Sequence, residues 1–201
     1  MPQNHPDDAP DGTRAALIAA GVALFGSKGF AATSTREIAA RAKANVASIA
    51  YHFGGKDGLR QACAAQFAQR LAAVLQQAPI PADLRPAEAR LMLRASFARV
   101  IGFILGQAET AEMVSFMLRE VSEDSPIVDV VYTSFMEGAH RNVCALWGLA
   151  SGCEAESDAV RLSVFSFVGQ ILYFRIGTRI VARRMGWDAV GPEEAAQITA
   201  V

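Results

Sequence analysis

Hydrophobic residues recur three and four positions apart along most of the chain, and no sustained alternation of polar and apolar positions is present. Spacing of this kind is typical of amphipathic helices. Prolines, which interrupt helices, occur only at positions 2, 6, 10, 79, 81, 86, 126 and 192. The pattern predicts an all-α protein with its main break at residues 79–86 and further breaks at 122–126 and 149–157.

The first proline-free run predicts four helices. Thr13 is expected to cap the first of them and Gly29 to end it. The apolar stripe of this helix consists of Leu17, Ala20, Gly21, Leu24 and Phe25. Ser34 and Glu37 have the spacing of a capping box, which predicts a short second helix ending at Ala42.

A third short helix is expected after Asn45, followed by a long fourth helix from Lys56. Four residues of the third helix are expected to pack inward: Val46, Ile49, Ala50 and Phe53. The opposite face carries no acidic side chain and consists of Ala47, Ser48, Tyr51 and His52. Two short helices joined by a tight turn, the second with such a face, are typical of a helix-turn-helix that places its second helix in the major groove of DNA.

The formal net charge of −1 conceals a local excess of positive charge. Residues 13–60 carry seven basic and two acidic residues, a net charge of +5, and include every lysine of the protein. The flanking segments, 1–12 and 61–201, carry −3 each. A basic segment of this kind is the electrostatic signature that a phosphate backbone requires.

Composition limits the classes of protein that fit the chain. A hydrophobic content of 52% excludes a disordered protein, although residues 1–12 are expected to form a disordered leader rather than a signal peptide. The apolar stretch 162–182 is interrupted by a glutamine and two arginines, which predicts a soluble helix and no membrane partner. Cys63, Cys144 and Cys153 form no CxxC or metal-ligand spacing, so a reducing, cytoplasmic location is expected.

The run TSTREIAARAKANVASIAYHFGGKDGL, residues 33–59, resembles the helix-turn-helix signature of the TetR/AcrR family of transcriptional repressors. The resemblance implies DNA contacts by Thr33, Ser34, Thr35, Arg36, Asn45, Ala47, Ser48, Tyr51, His52 and Lys56. By the same resemblance, the first four lie at the DNA backbone or groove edge and the next three enter the major groove. Tyr51 and His52 reach phosphates or bases, and Lys56 clamps a phosphate. The family usually has glycine where this chain has Lys43; a lysine at positive φ costs about 1 kcal/mol and adds a charge near the DNA.

Residues 13–60 are expected to form a DNA-binding domain, which the long fourth helix joins to residues 61–201, a helical bundle that binds a ligand and dimerises. Val160 to Trp187 is expected to be one long helix of this bundle. The runs MLREVSEDSPIVDVVYTSF and GQILYFRIGTRIVARRMGW resemble the C-terminal domain of the CecR-like branch of the family. The resemblance places a homodimer interface on residues 127–148 and 160–183. A two-fold dimer then presents two reading helices about 34–36 Å apart, which matches a palindromic operator in double-stranded DNA.

The expected ligand is a small amphipathic or aromatic compound. Its candidate contacts are Phe103, Met117, Arg119, Glu120, Tyr132, Phe135, His140, Gln170 and Phe174. Aromatic and methionine side chains at helical spacing are also typical of an ordinary core, and Arg119 with Glu120 also fits a helix-end ion pair. These alternatives stay open at the level of sequence.

Nothing in the sequence favours catalysis. His5, His52 and His140 are scattered, and no HExxH, nucleophile–histidine grouping or glycine-rich phosphate loop is present, so no enzyme, metal or cofactor is expected. The competing hypothesis is a helical ligand-binding or redox-sensing interaction module without sequence-specific DNA binding. On that hypothesis the basic segment is a solvated face or contacts an acidic protein.

Overall fold

The computed structural model describes residues 10–75, 79–106 and 108–200, which form eleven α-helices and one π-helical segment. The prediction of an all-α protein is confirmed. The N-terminal helices are α1 (Pro10–Lys28), α2 (Thr35–Arg41), α3 (Ala47–Phe53) and α4 (Lys56–Leu75). The later helices are α5 (Pro86–Leu105), α6 (Ala108–Ser122), α7 (Pro126–Val131), α8 (Glu137–Ser151), α9 (Asp158–Ile176), α10 (Thr178–Met185) and α11 (Pro192–Ala200).

Helix α1 starts at Pro10, so the expected start at Thr13 is wrong. Proline suits the first turn because its fixed φ is helical and no intrahelical partner is lost there. Residues 1–9 of the expected leader lie outside the described residues. The end of α1 is as predicted: Gly29 has φ +87°, and its N–H donates to Phe25 O at 2.9 Å.

The predicted breaks coincide with the ends of helices. Residues 79–85 separate α4 from α5, and Ser125 precedes α7 with its Oγ accepting from Ile127 N–H at 3.1 Å. Gly152 ends α8 in the left-handed conformation, and the Ser157 side chain caps α9. The π-helical segment, Tyr132–Met136, joins α7 to α8.

The single helix predicted from Val160 to Trp187 is wrong, because the chain breaks at Gly177 between α9 and α10. A Cβ on Gly177 would lie 3.0 Å from Tyr173 O, closer than such contacts normally are. The Thr178 hydroxyl lies 2.9 Å from Phe174 O and 2.8 Å from Arg175 O, so it satisfies carbonyls at the end of α9. Glycine in an apolar run is compatible with helical periodicity, so the pattern alone did not reveal this break.

The described residues group into two compact units. The first contains residues 10–68 and 112–131, and the second contains residues 69–111 and 132–200. The division into functional segments at residues 12 and 60 stays a prediction. No signal in the sequence indicated that residues 112–131 pack with the N-terminal helices.

Each unit has its own apolar core. In the first, the fully buried large side chains are Leu17, Phe25, Ile38, Ile49, Leu59 and Phe116. In the second, the Phe97 ring lies 4.1 Å from that of Phe167 and 6.4 Å from that of Trp147, measured between centroids. A second cluster there contains Cys144, Val160 and Val164.

Helix α9 is long and apolar enough to cross a membrane, judged by length and composition alone. Only 17% of its apolar window is buried inside this chain. Leu162 and Phe165 are 65% and 56% exposed. The helix therefore keeps a large apolar face that the described residues do not cover.

Candidate nucleic-acid interface

The predicted capping box at the start of α2 is confirmed. Ser34 Oγ accepts from Glu37 N–H at 3.2 Å, and Glu37 Oε2 accepts from Ser34 N–H at 2.9 Å. Lys28 Nζ donates to Glu37 Oε1 at 2.6 Å. This hydrogen bond, with those from Ser34, lowers the pKa of Glu37 to about 2. The network fixes where α2 begins and leaves Ser34 exposed.

The turn between α2 and α3 is a Schellman motif with lysine in its left-handed position. Lys43 N–H donates to Ala40 O at 3.2 Å, Ala44 N–H donates to Ala39 O at 2.9 Å, and Lys43 has φ +53°. This position therefore requires the conformation that glycine adopts without strain. Lys43 is exposed, so the turn carries a positive charge at the entrance to α3.

The Asn45 side chain satisfies the first N–H of α3, as expected of the predicted cap, because its Oδ1 accepts from Ala47 N–H at 2.9 Å. The residue directly before α3 is Val46, one position later than predicted for the cap. The expected inner face is partly wrong. Ile49 is fully buried and Phe53 half-buried, but Val46 and Ala50 are exposed. A helix of seven residues that packs on one side needs only two apolar positions four residues apart for its inner stripe.

The outer face of α3 is accordingly rotated from the one that the sequence predicted, and Ser48 of the predicted face is half-buried. Tyr51 is 84% exposed and Val46 42%, and Ala47 and Ala50 are exposed as well. His52 is half-buried, with its ring 4.9 Å from that of Tyr51 in an edge-to-face arrangement. Val46 and Ala50 are therefore further candidates for contacts in the DNA groove, which the sequence had placed on the inner face. The large apolar pair at i, i+4, Ile49 and Phe53, was the signal that these two residues form the inner face without Val46 and Ala50.

Of the residues placed near DNA by resemblance, Thr33 is buried. Its side chain is 1% exposed, and its hydroxyl donates to Gly29 O at 2.7 Å and lies 3.3 Å from Leu24 O. The hydroxyl therefore satisfies carbonyls at the end of α1 and is not available to a phosphate. Thr35 is half-buried and Arg36 exposed, beside the exposed Ser34.

Lys56 is committed to internal contacts. Its Nζ donates to Phe30 O and Thr33 O, both at 2.8 Å, and lies 4.2 Å from the centre of the Phe30 ring. The ammonium group thereby holds the α1–α2 loop against the start of α4. Its role as a phosphate clamp stays a prediction, with one N–H donor left for that purpose.

Two residues expected to contact a ligand, Arg119 and Glu120, link α6 to the N-terminal helices, and their role in ligand binding stays a prediction. Arg60 Nε donates to Glu120 Oε1 at 3.0 Å, and a second Arg60 nitrogen lies 2.6 Å from Glu120 Oε2. Arg119 donates to Gly26 O at 3.2 Å and to Ser27 O at 3.3 Å, and pairs with Glu123. The alternative that Arg119 and Glu120 pair with each other is therefore wrong.

The other expected ligand residues are not gathered at one place. Met117 is buried in the first unit, whereas Phe103 lines a cleft of about 530 Å³ in the second. Tyr132 and Gln170 are exposed, and Phe135 and Phe174 half-buried. The His140 ring stacks on that of Phe165 at 4.1 Å, and its Nδ1 lies 3.5 Å from Cys144 Sγ. Their role in ligand binding stays a prediction.

The cysteines give little support to redox sensing. Burial raises the pKa of Cys63 to about 12 and also raises the pKa of Cys144. Both therefore stay in the poorly nucleophilic thiol form at neutral pH. Cys153 is exposed. Among the residues that the structure describes, no group of three or more potential ligands could hold a metal ion.

Comparison with known proteins identifies both parts of the chain. Residues 17–63 match the family of bacterial regulatory proteins called the tetR family. Residues 89–201 match the C-terminal domain of the HTH-type transcriptional dual regulator CecR. The second match covers more than half of the chain.

Two relatives extend the similarity over most of the chain. One is the HTH-type transcriptional dual regulator CecR of Shigella flexneri, 34% identical over 192 residues that cover 89% of this chain and 82% of the relative. Another is the HTH-type transcriptional repressor Rv3405c of Mycobacterium tuberculosis, 30% identical over 169 residues that cover 79% and 88%.

Solved structures share the fold. A TetR-like transcriptional regulator from Rhodococcus sp. RHA1 matches with a TM-score of 0.66 and 21% identity over 99% of this chain and 93% of its own. AibR, solved in complex with isovaleryl coenzyme A and operator DNA, matches with a TM-score of 0.63 and 19% identity over 81% and 85%. The chain is a helix-turn-helix DNA-binding regulator, not an enzyme, and belongs to the TetR family of bacterial transcriptional regulators, with a CecR-type C-terminal domain.

Proposed function

We propose that the protein is a homodimeric repressor that binds a palindromic operator through α3 and leaves it when a small molecule binds the C-terminal domain. The observation that carries the proposal is the outer face of α3, where Tyr51 is 84% exposed beside small side chains and no carboxylate. Lys43 and Arg36 are both exposed and belong to the basic segment 13–60. Contacts of α3 in the major groove then select the operator sequence, and the basic groups position the helix on the phosphate backbone of the DNA.

The homodimer rests on α9. Its apolar face includes Leu162 and Phe165, both more than half exposed. This face is larger than the isolated exposed apolar residues that are normal on the surface of a monomer. A second copy of the same helix covers such a face in a two-fold arrangement. Two copies of α3 then read two half-sites about 34–36 Å apart.

Ligand-dependent release rests on the C-terminal domain. AibR, which shares this fold, was solved in complex with isovaleryl coenzyme A and operator DNA. That complex supports a regulator here that binds both a small molecule and an operator. To change operator occupancy from 99:1 to 1:99, the two conformations must differ in ligand affinity by about ten-thousandfold. Such a regulator acts in the cytoplasm, where the bacterial chromosome lies.

A footprint on the promoter region of the protein's own gene tests the proposal. We expect two protected half-sites separated by about one helical turn, and an affinity that falls steeply with salt. Tyr51→Ala is expected to weaken binding at least about tenfold, since a base or phosphate contact contributes about 1–3 kcal/mol. Arg94→Gln, an exposed change on α5, is the matched control.

Two results would contradict the proposal. One is the absence of a protected palindrome at low salt, which favours the interaction-module hypothesis. The other is a footprint that Tyr51→Ala leaves unchanged, which moves the reading face away from α3.

A further inference from the structure

The second compact unit contains an open cleft of about 530 Å³ between the end of α4, α5 and α11. Small side chains form most of its wall: Ala73, Ala98, Gly102, Gly106, Ala195 and Ala196. A Cβ built on Gly102 meets no atom within 4 Å, so the space beside this residue is open. Clefts of this volume with mainly apolar walls are the usual form of small-molecule sites.

Arg99 is the only charged residue among those described that line this cleft. One of its terminal nitrogens donates to Ser96 Oγ at 3.2 Å and to Leu75 O at 3.4 Å, which are both uncharged acceptors. Its Nε is buried and has no hydrogen-bond partner among the described residues. A buried cationic donor without an acceptor is costly, so Arg99 is the group in the cleft that a bound anion would stabilise.

We propose that the cleft binds an amphipathic carboxylate, with its apolar chain along the alanine and glycine wall and its carboxylate accepting from Arg99. The planar guanidinium matches the two oxygens of a carboxylate. A single arginine balances a single negative charge, which favours a carboxylate over a doubly charged phosphate. The site adds to the expected ligand residues, of which Phe103 alone lines this cleft.

Calorimetry of the full chain without DNA tests the site, with decanoate as the probe below its micelle threshold. Decanol has the same chain without charge, and decyltrimethylammonium carries the opposite charge. We expect decanoate to bind at least about tenfold more tightly than decanol, because a hydrogen bond to a charged group contributes that much. The cation is expected not to bind.

Two variants separate the headgroup from the chain. Arg99→Gln is expected to weaken decanoate at least about tenfold while decanol binding is unchanged. Gly102→Leu fills the open space and is expected to weaken both probes at least about tenfold. The same change raises the melting temperature, because leucine favours a helix far more than glycine does, so lost binding is not confused with misfolding. Arg94→Gln on the exposed side of α5 is the control.

Each of three results would overturn the proposed site. They are equal affinities for decanoate and decanol, no decanoate binding at millimolar concentration, and an Arg99→Gln variant that binds decanoate as tightly as the wild type. The regulatory meaning of the site rests on the proposed function, and a separate assay tests it by adding decanoate to the operator complex. If decanoate binds through Arg99 but leaves that complex intact, the binding site is supported. The proposal that this class of compound releases the operator is then contradicted. If no operator complex forms, the proposed function fails and calorimetry still decides the site.

Discussion

Glu120 of α6 is joined to Arg60 of α4 by two close contacts, Nε to Oε1 at 3.0 Å and an ion pair at 2.6 Å, in a place where the glutamate is only 2% exposed. The Arg60 guanidinium also lies 4.2 Å from the centre of the Phe30 ring. One buried pair thus connects the DNA-binding helices with a helix that lies sixty residues further along the chain.

Replacing one partner of this pair is expected to be strongly destabilising. Glu120→Leu leaves Arg60 as an uncompensated, largely buried charge, which lowers the free energy of unfolding by about 3–5 kcal/mol. Combining it with Arg60→Met is expected to restore most of that loss, because two apolar groups need no partner. Urea unfolding measures both variants. Arg141→Met, which removes an exposed pair with Glu137, is the control and should lower the free energy of unfolding by less than about 1 kcal/mol. Equal losses of stability in Glu120→Leu and Arg141→Met would contradict this prediction.

Lys43→Gly is expected to change stability and DNA affinity in opposite directions. Glycine relieves the positive-φ strain and raises the free energy of unfolding by about 1 kcal/mol. Loss of the charge reduces the slope of log affinity against log salt by about 0.9 for one phosphate contact. Thermal unfolding and a salt series of operator titrations measure the two effects. A more stable variant with an unchanged slope would place Lys43 away from the DNA backbone.

Ala50→Glu distinguishes the observed face of α3 from the predicted one. Because Ala50 is exposed, the free energy of unfolding is expected to change by less than about 0.5 kcal/mol. A carboxylate on the face that meets DNA repels phosphate, so operator affinity should fall at least about tenfold. Unfolding followed by circular dichroism measures the stability, and an operator titration measures the affinity. A large loss of stability would instead support the inward orientation of Ala50 that was predicted from the sequence.

Lys56→Met tests whether the lysine is structural. It removes two hydrogen bonds from a charged donor to Phe30 O and Thr33 O and should lower the free energy of unfolding by about 1.5–3 kcal/mol. If the ammonium also clamps a phosphate, the salt slope of DNA binding falls as well. An unchanged slope in the folded variant would restrict Lys56 to holding the loop.

The α1–α2 contact is expected to weaken in acid. The pKa of Glu37 is lowered from 4.5 to about 2, mainly by its hydrogen bond from Lys28. A lowered pKa in the folded state contributes stability that is complete above the unfolded value near 4.5 and is lost as pH falls toward 2. Thermal unfolding of wild type and Glu37→Gln between pH 6 and pH 2 should show a difference that shrinks over this window. A difference that stays constant with pH would assign the stabilisation to packing rather than to the carboxylate.

Local features of the N-terminal segment could be predicted because neighbouring residues determine them. The capping box of Ser34 and Glu37, the left-handed Gly29 and the Asn45 cap all depend on chemistry within four residues. The exposure of Val46 and Ala50 could not be predicted, because helical periodicity does not tell how wide a face the neighbouring helices cover.

Contacts between distant residues had no such signal. Arg119 meets the carbonyls of Gly26 and Ser27 across more than ninety residues of chain, and nothing in either segment marks its partner. Arg99, whose Nε has no partner among the described residues, was missed for the same reason, since only the packing of α5 and α11 makes the cleft that it lines.

In the proposed homodimer, the apolar face of α9 makes the stability of this protein a function of its concentration. In a homodimer as proposed above, part of the folding free energy comes from the second chain, so the unfolding midpoint rises as the protein becomes more concentrated. The rate at which the gene is expressed then helps to set how much of the protein is assembled at all, before any ligand or operator is involved.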